Sequence, residues 1–217
     1  SKGFIFGPSP KVQYCDPCWQ RWAATPTSEG PDRKRRKLAQ DAAPGLPREP
    51  TVPRRQLPAH RLVCAPMVGG SELAFRLLCR RHGADICYTP MLYSGRFAES
   101  DEYRQAEFGT IPEEDRPLVA HFCGNDAATL VRAAELVQDS VDAVDLNLGC
   151  PQRIAHTGHF GSYLLGQKDR PLVLGIVRHL CTSLKVPVFC KIRLLDKLEE
   201  TIAFAKQLEE AGCALLA

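Results

Sequence analysis

From residue 61 onward, short apolar runs alternate with amphipathic helical stretches, and this alternation limits the possible folds more than any other feature. An apolar run over 62–66 leads into the turn Met67-Val68-Gly69-Gly70. Ser71 is placed to cap a helix whose Leu73/Leu77 and Ala74/Leu78 pairs share a face, and Gly83 to end it. Residues 86–89 read as a second strand that Pro90 should stop, and residues 118–122 as a third. Asp126 caps a helix over 127–137, and residues 143–148 form a fourth strand. A helix over 171–184, a strand over 188–193, a helix over 198–211 closed by Gly212, and the start of a sixth strand at 214–217 complete the pattern.

Strands joined by helices imply a parallel sheet with right-handed crossovers. Apolar strands buried on both faces suit a doubly wound sheet or a closed barrel, and no glycine-rich phosphate fingerprint follows the first strand. The expected fold class is α/β, a TIM (β/α)8 barrel, incomplete because about five and a half strands are present.

Residues 1–60 are different. They hold 10 of the 17 prolines, show no sustained hydrophobic period and carry 11 Lys/Arg against 5 Asp/Glu, whereas residues 61–217 carry 17 against 20. A disordered, Pro-rich basic arm over 1–60 and a catalytic domain over 61–217 follow. Cys15-Asp16-Pro17-Cys18 has the spacing of a metal knuckle beside Trp19 and Trp22, but no second Cys/His pair follows at finger spacing, so no metal site is expected. Arg33-Lys34-Arg35-Arg36-Lys37 reads as a nuclear localisation signal, a polyanion contact or a solvated linker. The ten cysteines are scattered singly, as suits reduced thiols. No apolar run approaches the roughly 18 residues of a membrane span and no signal-peptide pattern opens the chain, so a cytoplasmic or nuclear protein without membrane contact is expected. The chain begins with Ser1 rather than Met, as a fragment would.

The stretch most informative about chemistry is Asp145-Leu146-Asn147-Leu148-Gly149-Cys150-Pro151. Gly149 is expected to supply an unusual backbone angle and Pro151 to forbid helix at Cys150, which leaves a thiol on a stiff turn at a strand end. In a barrel, groups at the carboxyl ends of strands converge on one mouth. The successive strands offer Pro66 and Met67, Tyr88 and Met91, His121, Asn147 and Cys150, then Lys191 and Arg193. An amide, a thiol and two cations around an apolar pocket suit a planar electron-rich ligand and an acid-base step. Each also has a plainer reading: Lys191 and Arg193 as solvent-seeking charges, His121 as a satisfied core histidine, Asn147 as a turn stabiliser, Cys150 as a packed thiol.

Ala65-Pro66-Met67, Cys87-Tyr88-Thr89-Pro90-Met91, Asp145 through Gln152, Gly158-x-x-Gly161 with Leu164-Leu165, and Cys190-Lys191-Ile192-Arg193 together resemble the tRNA-dihydrouridine synthases. The likeness runs over 62–217 and is nearest to the eukaryotic branch acting on uridines 16 and 17 of the D-loop. It implies FMN at the barrel mouth, reduced by NADPH or NADH, with hydride passing to uracil C6 and a proton to C5. Cys150 is then the proton donor, since an ordinary thiol with a pKa of about 8.5 is mostly protonated at neutral pH. Pro66, Met67, His121 and Lys191 would contact the flavin, and Asn147 and Arg193 the substrate. The family usually has Gln at the position of His121 and a small residue at that of Ser162. Its later flavin-binding His and Gly-Arg segments, and a C-terminal helical domain for tRNA, would lie beyond residue 217. A tRNA substrate and a monomer are implied. An FMN-dependent reductase of free pyrimidines, like dihydroorotate or dihydropyrimidine dehydrogenase, and an inactive RNA-binding fragment are the alternatives.

Overall fold

The computed structural model describes residues 57–217 and two short segments nearer the N-terminus, Phe4–Phe6 and Gln13–Cys15, which pair antiparallel. The side chains of the Cys15/Cys18 pair and the basic run at 33–37 lie outside the described residues. So does most of the expected disordered arm.

The main sheet has six strands, β1 (Val63–Cys64), β2 (Ile86–Tyr93), β3 (Leu118–Cys123), β4 (Ala143–Leu148), β5 (Val188–Ile192) and β6 (Leu215–Leu216). They lie side by side in chain order and every neighbouring pair is parallel. That order is the one in which barrel staves follow each other; a doubly wound sheet would reverse partway. Among the described residues seven α-helices accompany the strands: α1 (Leu73–Arg81), α2 (Ser94–Glu99), α3 (Asp101–Glu107), α4 (Ala127–Glu135), α5 (Arg153–Thr157), α6 (Arg170–Ser183) and α7 (Leu198–Glu210). None of the described helices is long and apolar enough to cross a membrane.

Both faces of the sheet are buried, as the apolar strand runs require. Leu118, Ala120, Phe122, Leu146, Leu148 and Val188 pack outward against Leu130, Val177 and Phe204 of the helices. Ile86, Tyr88, Val119, Ala143 and Phe189 form a second cluster on the barrel side. Tyr88 therefore belongs to the barrel's packed interior, 3% exposed, and not to its mouth.

Two local expectations are corrected. Pro90 does not stop β2, which runs on to Tyr93; the register shifts between Tyr88 and Met91, so the missing N–H falls in an irregularity. Thr89 Oγ1 accepts the His121 N–H there (3.0 Å) and keeps the ladder closed. Ser71 is not the cap of α1, which starts after Glu72 without a side-chain cap. Its hydroxyl instead accepts from Met67 N (2.9 Å) and donates to Met67 O (3.1 Å), bracing the turn after β1. Asp126 does cap α4, accepting from Thr129 N at 2.8 Å. The short helices α2 and α3 were not legible in the periodicity; Ser100 caps α3 by accepting from Tyr103 N.

Candidate active site

At the carboxyl ends of the strands lies a cleft of about 390 Å³, lined by Pro66, His121, Asn147, Gly149, Cys150, Pro151, Lys191, Ile192 and Arg193. Four strands or their exits contribute, from β1 (Pro66), β3 (His121), β4 (Asn147 to Pro151) and β5 (Lys191 to Arg193), and Met91 of β2 stands behind them against Asn147. Of the nine strand-end residues singled out from the sequence, Met67, Tyr88 and Met91 stand outside the lining; Met67 is 40% exposed on the turn beyond Pro66. Met91 is only 7% exposed and packs with Cys123, Ala155 and Phe160 under the Cys150 turn.

Parallel register explains why these groups meet. Asn147 pairs with Lys191 across β4 and β5, and His121 with Asp145 across β3 and β4. With a side-chain period of two, Asp145 and Asn147 share one face of β4 while Leu146 and Leu148 fill the outer core.

The Cys150 turn is held from several sides. Asn147 Oδ1 accepts from Gly149 N (3.0 Å) and Cys150 N (2.9 Å), closing an Asx-type turn. Arg193 Nε donates to Gly149 O (2.6 Å), Ser162 donates through both N (3.0 Å) and Oγ (2.9 Å) to Cys150 O, and Tyr163 Oη donates to Pro151 O (3.0 Å). Three consecutive carbonyls thus have donors. Ser162, which the sequence marked only as a departure from the family pattern, and Tyr163 supply the two hydroxyls.

The backbone freedom of glycine is used in a different place from the one expected. Gly149 does not adopt a left-handed angle; Gly161 does, at φ +65°, and a Cβ there would lie 2.7 Å from Cys150 O. Because that oxygen is backbone and doubly bonded, it cannot rotate aside. Gly161→Ala should cost at least about 1–2 kcal/mol for the angle alone, lowering Tm by roughly 2–8 °C for a chain of this size. Thermal unfolding measures this, and an unchanged Tm would show that the turn relaxes around the added carbon.

Beneath the cleft His121, 3% exposed, bridges Asp145 and Asn147, with Nδ1 2.5 Å from Asp145 Oδ2 and Nε2 2.9 Å from Asn147 Nδ2. Burial raises the pKa of the Asp145 carboxyl, while the hydrogen bond and charge of His121 and the charge of Lys191 pull it back. Cys123 lies near Cys150 and is pushed up to about 12, first by burial and then by the neighbouring thiol, so it stays protonated. No disulfide joins any of the cysteines with a described side chain.

Asn147 is more committed than the sequence suggested. Its carbonyl serves the turn, and its amide faces His121 and Met91 Sδ (3.2 Å). Arg193 likewise spends its Nε on Gly149 O, although its guanidinium remains exposed at the rim.

Comparison with known proteins agrees with this architecture. The family model described as "Dihydrouridine synthase (Dus)" matches residues 63–217. A mouse protein named tRNA-dihydrouridine(16/17) synthase (NAD(P)(+))-like is 48% identical over 163 residues, 75% of this chain and 34% of its own length. The tRNA-dihydrouridine(16/17) synthase (NAD(P)(+)) of Saccharomyces cerevisiae is 48% identical over 156 residues, 71% of this chain and 36% of its own. A human tRNA-dihydrouridine(20a/20b) synthase (NAD(P)+)-like protein is 39% identical over 153 residues, 69% of this chain and 47% of its own. The chain therefore spans about a third to a half of the length of these curated relatives. Since the matched segment takes in all six parallel strands together with the Cys150 turn, the chain belongs to the dihydrouridine synthase family.

Proposed function

We propose that this chain carries the flavin-dependent catalytic barrel of a tRNA-dihydrouridine synthase, reducing the 5,6 double bond of uridine 16 or 17 in the D-loop of tRNA. The observation that carries the reading is the Cys150 thiol, half-buried on a braced turn, in one cleft with Asn147, Lys191 and Arg193. The names of the relatives supply the tRNA, the positions 16/17 and the nicotinamide.

The cleft fits FMN in size and chemistry: its volume falls in the range of cofactor sites, Pro66 gives it a flat apolar wall, and Lys191 offers a cation beside the place of a reduced ring. When bound, FMN recharged by NADPH or NADH supplies the hydride that reaches uracil C6. The chain's own groups do the rest. Cys150 gives its thiol proton to C5, leaving a thiolate that regains a proton from solvent, so two electrons and two hydrogens are added across the bond. Lys191 offsets negative charge in the cleft, and His121 and Pro66 bound the flavin side. Met67, one residue beyond the lining, would line the flavin beside Pro66. Arg193 at the rim and Asn147 meet the substrate nucleotide, which must be turned out of the tRNA fold to enter. The protein acts as a monomer in the cytoplasm, with the basic run at 33–37 available as a nuclear signal.

Expression of the complete gene in a strain lacking its own 16/17 enzyme tests this. Restored dihydrouridine at those positions, from a protein with flavin absorbance, is the expected outcome. Colourless protein and unmodified tRNA would refute the reading, and turnover of free uracil as fast as tRNA would favour a free-pyrimidine reductase.

A further inference from the structure

Asp145 has no part in the chemistry above, yet it is fully buried directly beneath the site. Its Oδ2 meets His121 Nδ1, and its Oδ1 has no hydrogen-bond partner. A carboxylate in such a place needs a reason, because burial disfavours its charge.

The bonds form a directed chain. Backbone N–H groups can only donate, so Gly149 N and Cys150 N require the oxygen of the Asn147 amide to face them. The Asn147 nitrogen is thereby turned toward His121 Nε2, which must accept and carry no proton. A neutral imidazole then has its proton on Nδ1, which donates to Asp145 Oδ2. Any state with hydrogen on Nε2, whether imidazolium or the other tautomer opposite a protonated Asp145, sets donor against donor. Relief would require the amide to invert, and both turn N–H groups would then lose their acceptor. The other groups around the imidazole do not supply an alternative partner: the Tyr88 ring meets it edge-on (centroids 6.0 Å apart), Met91 Sδ is on Asn147, and Lys191 acts on Asp145 through its charge.

We propose that Asp145 and His121 are positioning residues that fix the orientation of the Asn147 amide and through it the Gly149–Cys150 turn, so that a buried carboxylate aims the Cys150 thiol. The inference rests on Cys150 being the proton donor. It concerns this chain's own hydrogen bonds and does not require bound flavin.

Nitrogen-15 NMR of histidine-labelled protein should show His121 neutral, protonated at Nδ1 and bare at Nε2; a proton on Nε2 would overturn the proposal. His121→Gln, whose amide oxygen can still accept from Asn147, should keep the wild-type rate of Cys150 alkylation by iodoacetamide, followed on its peptide by mass spectrometry. His121→Leu should change that rate and lower kcat for uracil reduction by about 10–100-fold with KM for tRNA little altered. Equal alkylation in Gln and Leu variants that both fold would sink the idea, and should Leu fail to fold, the NMR result decides alone. If the protein reduces no uracil at all while the NMR and alkylation results stand, the proposed reaction fails and the positioning chain survives.

Discussion

Cys150→Ala is expected to lower uracil reduction by about 10²–10⁴-fold, the usual contribution of a positioned proton donor, while flavin reduction by NADPH proceeds at nearly the wild-type rate. The asymmetry follows from geometry. Cys150 sits on the β4 exit facing the cleft, and its backbone is held by Asn147, Ser162 and the neighbouring Arg193 bond, none of which involves its sulfur. Removing the thiol therefore leaves the turn in place and takes away only the proton. Stopped-flow measurement of the two half-reactions separates the cases, and equal loss in both would rule out the acid role. Cys123, locked as a buried thiol under the turn, should not substitute for it.

Asp115→Ala should be the most damaging single change to stability among the polar positions described here. The Asp115 carboxylate is 0% exposed; Oδ2 accepts from Arg76 Nε (3.0 Å), Arg76 Nη2 (2.6 Å) and Thr110 Oγ1 (3.2 Å), and Oδ1 from Arg80 Nε (3.2 Å). Arg76 is itself 1% exposed. Its other donors go to Ser71 O (2.7 Å) and Gly109 O (2.6 Å), so alanine would strand a buried guanidinium with hydrogen bonds but no counter-charge. Such a loss costs about 3–5 kcal/mol, a large part of a typical total of roughly 5–15, and should lower Tm by roughly 6–20 °C. Adding Arg76→Met should restore part of it, because the uncompensated charge leaves as well; a double variant no better than Asp115→Ala would contradict the explanation. The effect reaches the cleft, since Ser71 braces Met67 beside Pro66.

Much of this was legible in the chain. The strand and helix order, the parallel sheet and the gathering of His121, Asn147, Cys150, Lys191 and Arg193 at one end follow from local periodicity and from the rule that barrel strand ends share a mouth. Pro90 misled because proline's effect on a strand depends on the neighbouring register, and Thr89 supplied a substitute acceptor from within β2. Gly149 misled because a glycine in a turn does not announce its angle; the close approach that needs one is at Gly161, which lies against the Cys150 oxygen it spares. Met67 lies on the turn one residue beyond the cleft lining.

The amino-acid sequence alone determined the layered α/β architecture, the family resemblance and the thiol at the end of β4, because each rests on spacing within a few residues. Only the tertiary structure decided which groups Asp145, His121 and Asn147 serve, and that Asp115 neutralises Arg76. Those partners lie 24, 26 and 39 residues apart, and whether their atoms meet depends on strand register and helix packing. A hydrogen bond requires donor and acceptor within about 3 Å and nearly in line, a condition that sequence pattern does not encode and a folded backbone does.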